Sequence, residues 1–168
     1  MIILSGGEFS ADAKDERKGF PGVFSSDSFR CTAFAISSNL VVTSSHCIKG
    51  GDVFTFSLQG RDYPLDNMRI INGGGDVSFF DVDQGVIPDR HVYDVELNDL
   101  REGELVEREG SVSYSNGNIL SLKDSLFLTS GVGVFGDSGS PVLNSSGKVI
   151  GVYSGVVDDN ISVVYYLK

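Results

Sequence analysis

Basic residues are scarce in this chain: 13 Lys and Arg stand against 23 Asp and Glu, a formal net charge of −10. Nucleic-acid affinity comes mostly from Lys and Arg releasing condensed counterions, so a polyphosphate partner is not expected. Long apolar runs are also lacking. None approaches the roughly 18 residues that a bilayer span needs, so no membrane partner is expected. The opening MIIL is shorter than the apolar core of a signal peptide. Helical periodicity is rare as well; the best polar candidate, SADAKDERKG (10–19), has no apolar stripe and reads as an exposed turn or short helix. There is no internal repeat and no low-complexity tract. Proline, at 4 residues, is far outnumbered by 21 glycines, a balance that suits short strands joined by tight turns.

What is present is a globular composition. At 168 residues the chain fits one or two small domains, and folding would bury roughly two thirds of the surface exposed in the unfolded chain. An apolar fraction of 40% with 21% charge separates it from disordered sequences. Runs with Val, Ile, Phe or Tyr near alternate positions recur throughout: GVFSS (22–26), CTAFAIS (31–37), NLVVTS (39–44), DVFTFSL (52–58), MRIIN (68–72), DVSFFDV (76–82), LVERE (105–109), SVSYS (111–115), ILSLK (119–123), SLFLT (125–129), PVLN (141–144), KVIGVYSG (148–155) and ISVVYYL (161–167). Gly, Asn, Asp and Ser separate them, as in an all-β sandwich or barrel. YSNGN (114–118) and NSSGK (144–148) read as hairpin turns. The polar stretch PDRHVYDVELNDLREGE (88–104) reads as a connection between two halves.

One segment, GDSGSPV (136–142), sets Ser138 between small residues. A serine hydroxyl is a poor nucleophile until a base takes its proton, and the base works best when a third group holds its ring in one tautomer. Backbone N–H groups must also face the developing oxyanion, which favours glycine nearby. There are only two histidines. His91, among the charged residues of PDRHVYD, reads as a solvated surface side chain. His46 ends NLVVTSSHC, which places an imidazole just past a strand with small neighbours that leave room for a substrate.

With these residues in view, CTAFAISSNLVVTSSHC (31–47) resembles the catalytic-histidine segment of the chymotrypsin-like serine proteases, and GDSGSPV resembles the same family's nucleophile motif. Ser140 stands where the family usually has a second glycine, as in compact viral and bacterial members. The resemblance implies an all-β fold of two antiparallel barrels with the active site in the cleft between them. Residues 1–87 would form the N-terminal barrel carrying His46 and Asp76, 88–104 the connection, and 105–168 the C-terminal barrel carrying Ser138. The family places an aspartate at the start of an apolar strand between the two motifs. Asp76, Asp81 and Asp83 are the candidates, and Asp76, preceded by GGG, matches the pattern best.

The roles implied are Ser138 as nucleophile, His46 as general base and then acid, Asp76 as the group that orients the imidazole, and the N–H groups of Gly136 and Ser138 as oxyanion hole. Ser154 and Gly155 match the strand that pairs with the substrate backbone, so the partner would be a peptide or protein. Val132 falls where the floor of the specificity pocket is expected, and Tyr153 where relatives that cleave after Glu or Gln carry histidine. With no acid at Val132, a small or apolar uncharged residue is expected before the scissile bond. Cys31 and Cys47 stand where secreted members form a disulfide. LSGG (4–7) only loosely matches the amino terminus that pairs with the aspartate before the nucleophile, here Asp137, so Asp137 is expected to cap a turn instead.

No metal or cofactor is implied, and a monomer is expected. The setting would be a viral polyprotein in the host cell or secretion. Two alternatives stay open: a catalytically inactive protease-like domain, and an unrelated β-sandwich module that binds proteins.

Overall fold

The computed structural model describes residues 18–48, 53–70, 75–97, 100–158 and 160–167. Alternating apolar residues build two closed, six-stranded antiparallel barrels. The first contains β1 (Gly22–Ser25), β2 (Arg30–Ser37), β3 (Leu40–Thr43), β4 (Thr55–Leu58), β5 (Arg61–Ile70) and β6 (Ser78–Val82), in the spatial order β1-β2-β3-β6-β5-β4. The second contains β7 (Leu105–Glu109), β8 (Tyr114–Leu122), β9 (Leu126–Ser130), β10 (Pro141–Leu143), β11 (Val149–Val157) and β12 (Ile161–Tyr165), in the order β10-β11-β12-β9-β8-β7. Short 3-10 turns at Ser45–Cys47 and Asp89–His91 are the helical elements among the described residues. No helix among them is long and apolar enough to cross a membrane.

Each barrel is filled by the inward set of its alternating strands. Phe24, Phe56, Tyr63 and Phe80 are buried in the first, with the rings of Phe24 and Phe80 5.3 Å apart. Val106, Ile119, Phe127, Ile150 and Val164 fill the second. A third cluster joins them: Phe34 and Val42 pack with Tyr93, Leu143, Val149, Val152 and Leu167. Burial of each such side chain stabilises by about 1.5–3 kcal/mol, so the apposition of the barrels rests on its own apolar core. The connection straps both barrels, since Tyr93 N–H donates to Ala35 C=O (2.9 Å) and Val149 N–H donates to Asp94 C=O (2.8 Å).

Three sequence expectations need correction. YSNGN is no hairpin: β8 runs unbroken through Tyr114–Leu122, and Asn116 and Gly117 pair with Glu107 and Val106 of β7. Gly117 is needed for close approach, because a Cβ there would meet Ser130 C=O at 2.1 Å. The run MRIIN understates β5, which begins at Arg61 and carries Pro64 within it. His91 is buried rather than solvated, edge-on to Phe20 with ring centroids 5.4 Å apart, and this burial lowers its pKa. LSGG lies outside the described residues, as does SADAKDERKG apart from Lys18 and Gly19.

Candidate active site

β3 ends at Thr43, and the turn Ser45–Cys47 carries His46 out of the sheet. A Cys31–Cys47 disulfide fastens this turn to β2. Ser44 Oγ reaches across to the second barrel and donates to Tyr153 C=O (3.0 Å). Asp76, just before β6, takes the His46 backbone N–H on Oδ1 (2.8 Å) and faces His46 Nδ1 with Oδ2 (2.6 Å). A carboxylate only accepts, so the neutral ring carries its proton on Nδ1 and leaves the Nε2 lone pair free. Ser154 Oγ also donates to Asp76 Oδ2 (2.5 Å). Burial alone would raise the Asp76 pKa. The hydrogen bonds from His46 and Ser154 outweigh it, and the carboxyl lies below its ordinary value of 3.8.

Ser138 sits where two turns abut. Asp137 N–H donates to Val134 C=O (3.0 Å), and Ser140 N–H donates to Asp137 C=O (3.0 Å). Ser140 Oγ donates to the same carbonyl, so the residue that replaces a glycine here closes the second turn. Asp137 is fully buried. Its carboxylate accepts from the N–H groups of Ser113 (2.9 Å), Val112 (3.3 Å) and Val134 (2.9 Å), from Ser113 Oγ (2.5 Å), and pairs with Arg108 Nη1 (3.2 Å). Among the described residues the N–H groups of Gly136 and Ser138 have no acceptor. Ser138 Oγ donates to Ser154 C=O (3.0 Å), and no hydrogen bond joins it to His46 among the described residues.

Ser154 and Gly155 lie in β11 where its register against β12 shifts, and beyond Val152 the other side of β11 pairs with no described strand. The segment from Ser154 to Val157 therefore offers backbone groups to an incoming chain. Val132 is no buried floor: its side chain is exposed and its carbonyl accepts from Arg108 Nη2 (3.2 Å). Tyr153 is buried, with Arg108 stacked 5.0 Å from its ring centre, and its hydroxyl accepts the Gly133 N–H (3.1 Å).

His46, Asp76, Ser138 and Ser154 thus come together. Asp81 and Asp83 do not, being at the far end of β6, where Asp81 pairs with Arg69 (2.9 Å) and Asp83 N–H donates to Pro64 C=O (2.8 Å). Sequence reasoning missed Arg108, although the inward alternation of LVERE was its signal. It also missed the Ser154 hydroxyl, because the strand match of Ser154 concerns only its main chain. No group of three His, Cys, Asp or Glu that could hold a metal ion occurs among the described residues.

A family model described as Peptidase S7, Flavivirus NS3 serine protease, matches residues 134–166. That stretch holds the Ser138 turns and β10 to β12, and stops short of His46 and Asp76. Comparison with curated proteins finds no match. With two closed six-stranded barrels and this short match over the Ser138 turns and the last three strands, the chain has a fold consistent with the chymotrypsin-like serine proteases and one stretch similar in sequence to a viral member.

Proposed function

We propose that the protein is a serine endopeptidase that works through Ser138, His46 and Asp76. The observation that carries this is Asp76, which accepts hydrogen bonds from His46 Nδ1–H and the Ser154 hydroxyl on one carboxylate oxygen beside the Ser138 loop. A substrate strand would add to Ser154–Val157, and its N–H would replace Ser138 Oγ as donor to Ser154 C=O. The freed hydroxyl turns to His46 Nε2. Ser138 Oγ then attacks the scissile carbonyl while its proton passes to Nε2, and the oxyanion takes the unused N–H groups of Gly136 and Ser138. Collapse expels the amine with that proton and leaves an acyl-serine, which water hydrolyses by the same base.

Before the scissile bond we expect a small uncharged side chain. The Tyr153 hydroxyl accepts the Gly133 N–H (3.1 Å) and stands where a Cβ on Gly133 would meet it at 2.8 Å, so Tyr153 offers this segment a neutral, bulky neighbour and no charge. The Arg108 charge is committed to Asp137 and does not select an acid. Processing of a viral polyprotein is the proposed setting, in keeping with the viral family that matches.

The absent Ser138–His46 hydrogen bond favours a second reading, an inactive relative that binds peptides along β11. Catalytic hydrogen bonds are often loose without substrate, and one experiment separates the two. A fluorophosphonate probe followed by peptide mass spectrometry should place the adduct on Ser138, and Ser138→Ala should abolish it. Failure of the wild-type protein to react would leave the binding reading. A peptide library then reports the side-chain preference.

A further inference from the structure

We propose that Thr32, on the first barrel, is a positioning residue that holds the oxyanion loop of the second; this rests on the protease reading above. Thr32 lies in β2, next to Cys31, and is fully buried. Its backbone N–H donates to Ser138 C=O (2.8 Å), and its hydroxyl donates to Gly136 C=O (3.0 Å). The two residues whose N–H groups would bind the oxyanion thus have their own carbonyls held by one residue of the opposite barrel.

The hydrogen-bond inventory fixes the direction of this relay. Thr32 Oγ1 has three polar neighbours besides its own backbone: Gly136 C=O, Ser111 N–H (2.9 Å) and Ser111 Oγ (2.8 Å). A hydroxyl has one proton to give, and the carbonyl can only accept. The Thr32 proton therefore goes to Gly136, and both Ser111 groups donate to Thr32.

Gly136 has φ +99°, a conformation with little intrinsic preference to hold it, so an external tether decides where its peptide planes point. The Gly136–Asp137 plane is held at both ends, by Thr32 at the carbonyl and by Val134 C=O at the Asp137 N–H. The loop lies directly on β2. A Cβ on Gly139 would meet Thr32 C=O at 2.0 Å and Thr43 Oγ1 at 2.5 Å, and Thr43 Oγ1 donates to that same carbonyl (2.8 Å).

The test compares Thr32→Val, which keeps the shape and the backbone bond but removes the hydroxyl, with Thr32→Ser, which restores it. Losing an oxyanion donor outright costs about 10²–10³ in kcat, so releasing one carbonyl tether should lower kcat about 10-fold or more. KM should stay within about 2-fold, the phosphonylation rate of Ser138 should fall in parallel, and Thr32→Ser should recover most of both. A folded Thr32→Val with wild-type kcat and phosphonylation rate would overturn the inference, as would a loss that Thr32→Ser fails to rescue. Should Thr32→Val not fold, Ser111→Ala, at an exposed position, removes one donor to Thr32. A fall in kcat of about 3-fold is then expected, and wild-type kcat would overturn the inference. A wild-type protein inert to the probe would sink the protease reading instead, which keeps the two failures apart.

Discussion

Asp137→Asn changes one oxygen to an amide nitrogen at nearly constant volume, and the surroundings of Asp137 make this a severe test of the Ser138 loop. Oδ1 accepts from Ser113 N–H (2.9 Å) and Val112 N–H (3.3 Å); Oδ2 faces Val134 N–H (2.9 Å), Ser113 Oγ (2.5 Å) and Arg108 Nη1 (3.2 Å). Whichever way an asparagine turned, its NH₂ would meet donors. Arg108 would lose its counter-charge at a side chain only 4% exposed. Its Nε has no hydrogen-bond partner, and the acceptors left to its Nη atoms, Ser113 C=O (2.9 Å), Ser113 Oγ (3.2 Å) and Val132 C=O (3.2 Å), are all neutral. Removing one member of a buried ion pair costs about 3–5 kcal/mol, a large share of a total stability of about 5–15 kcal/mol.

With a urea slope of about 2 kcal/mol/M, the unfolding midpoint should fall by about 2 M. Far-UV circular dichroism and tyrosine fluorescence both report it, since the chain has no tryptophan. The loss should change little between low and high salt, because neither group is exposed to screening. Adding Arg108→Met removes the stranded charge, so the double variant should lose less than the sum of the two singles by about 2 kcal/mol. A midpoint shift under about 0.5 M, or plain additivity, would refute this account of Asp137.

Four further outcomes follow from other contacts. Gly139→Ala combines φ +91° with a Cβ placed against Thr32 C=O; about 3 kcal/mol or more should be lost, and a wild-type melting temperature would contradict it. Replacing Cys31 and Cys47 by serine opens a loop spanning 16 residues, worth about 3 kcal/mol in the chain-entropy model, measurable as a lower urea midpoint. Asp76→Asn should cut kcat by about 10⁴-fold, the size expected when the imidazole loses its orienting carboxylate, with the phosphonylation rate falling likewise. Because Asp76 is lowered below 3.8, its contribution to stability is complete above that value and is lost as pH falls through the lower folded value. Urea midpoints of wild type and Asp76→Asn should therefore differ at pH 7 and converge in strong acid; a constant difference would exclude the linkage.

The all-β class was legible because strand alternation and turn residues are local, and most of the expected runs are strands; the pairing of two barrels was implied only by the family resemblance of CTAFAISSNLVVTSSHC and GDSGSPV. The failures were local signals with two physical meanings. Asn116 and Gly117 are good turn formers, but barrel closure needed a residue without a side chain beside Ser130, and that requirement prevailed. His91 stands among charged neighbours in sequence, yet the strap between the barrels turns its ring onto Phe20.

The candidate chemical groups were easier to find than the groups that aim them, and the reason is spatial. A nucleophile or base must reach substrate, so it sits on a turn with small neighbours, and GDSGS and TSSHC announce such turns locally. A positioning group works from the interior and takes its partner from a distant strand. Thr32 reaches Gly136 across 104 residues, and Ser154 reaches Asp76 across 78. In CTAF and VYSG these two residues look like ordinary strand positions, because nothing in their own neighbourhood encodes the partner. Closure of the two barrels against their shared apolar cluster supplies it. Substitutions in that cluster, such as at Val42 or Val152, should therefore act on the rate through the same contacts that Thr32, Ser44 and Ser154 make across the cleft.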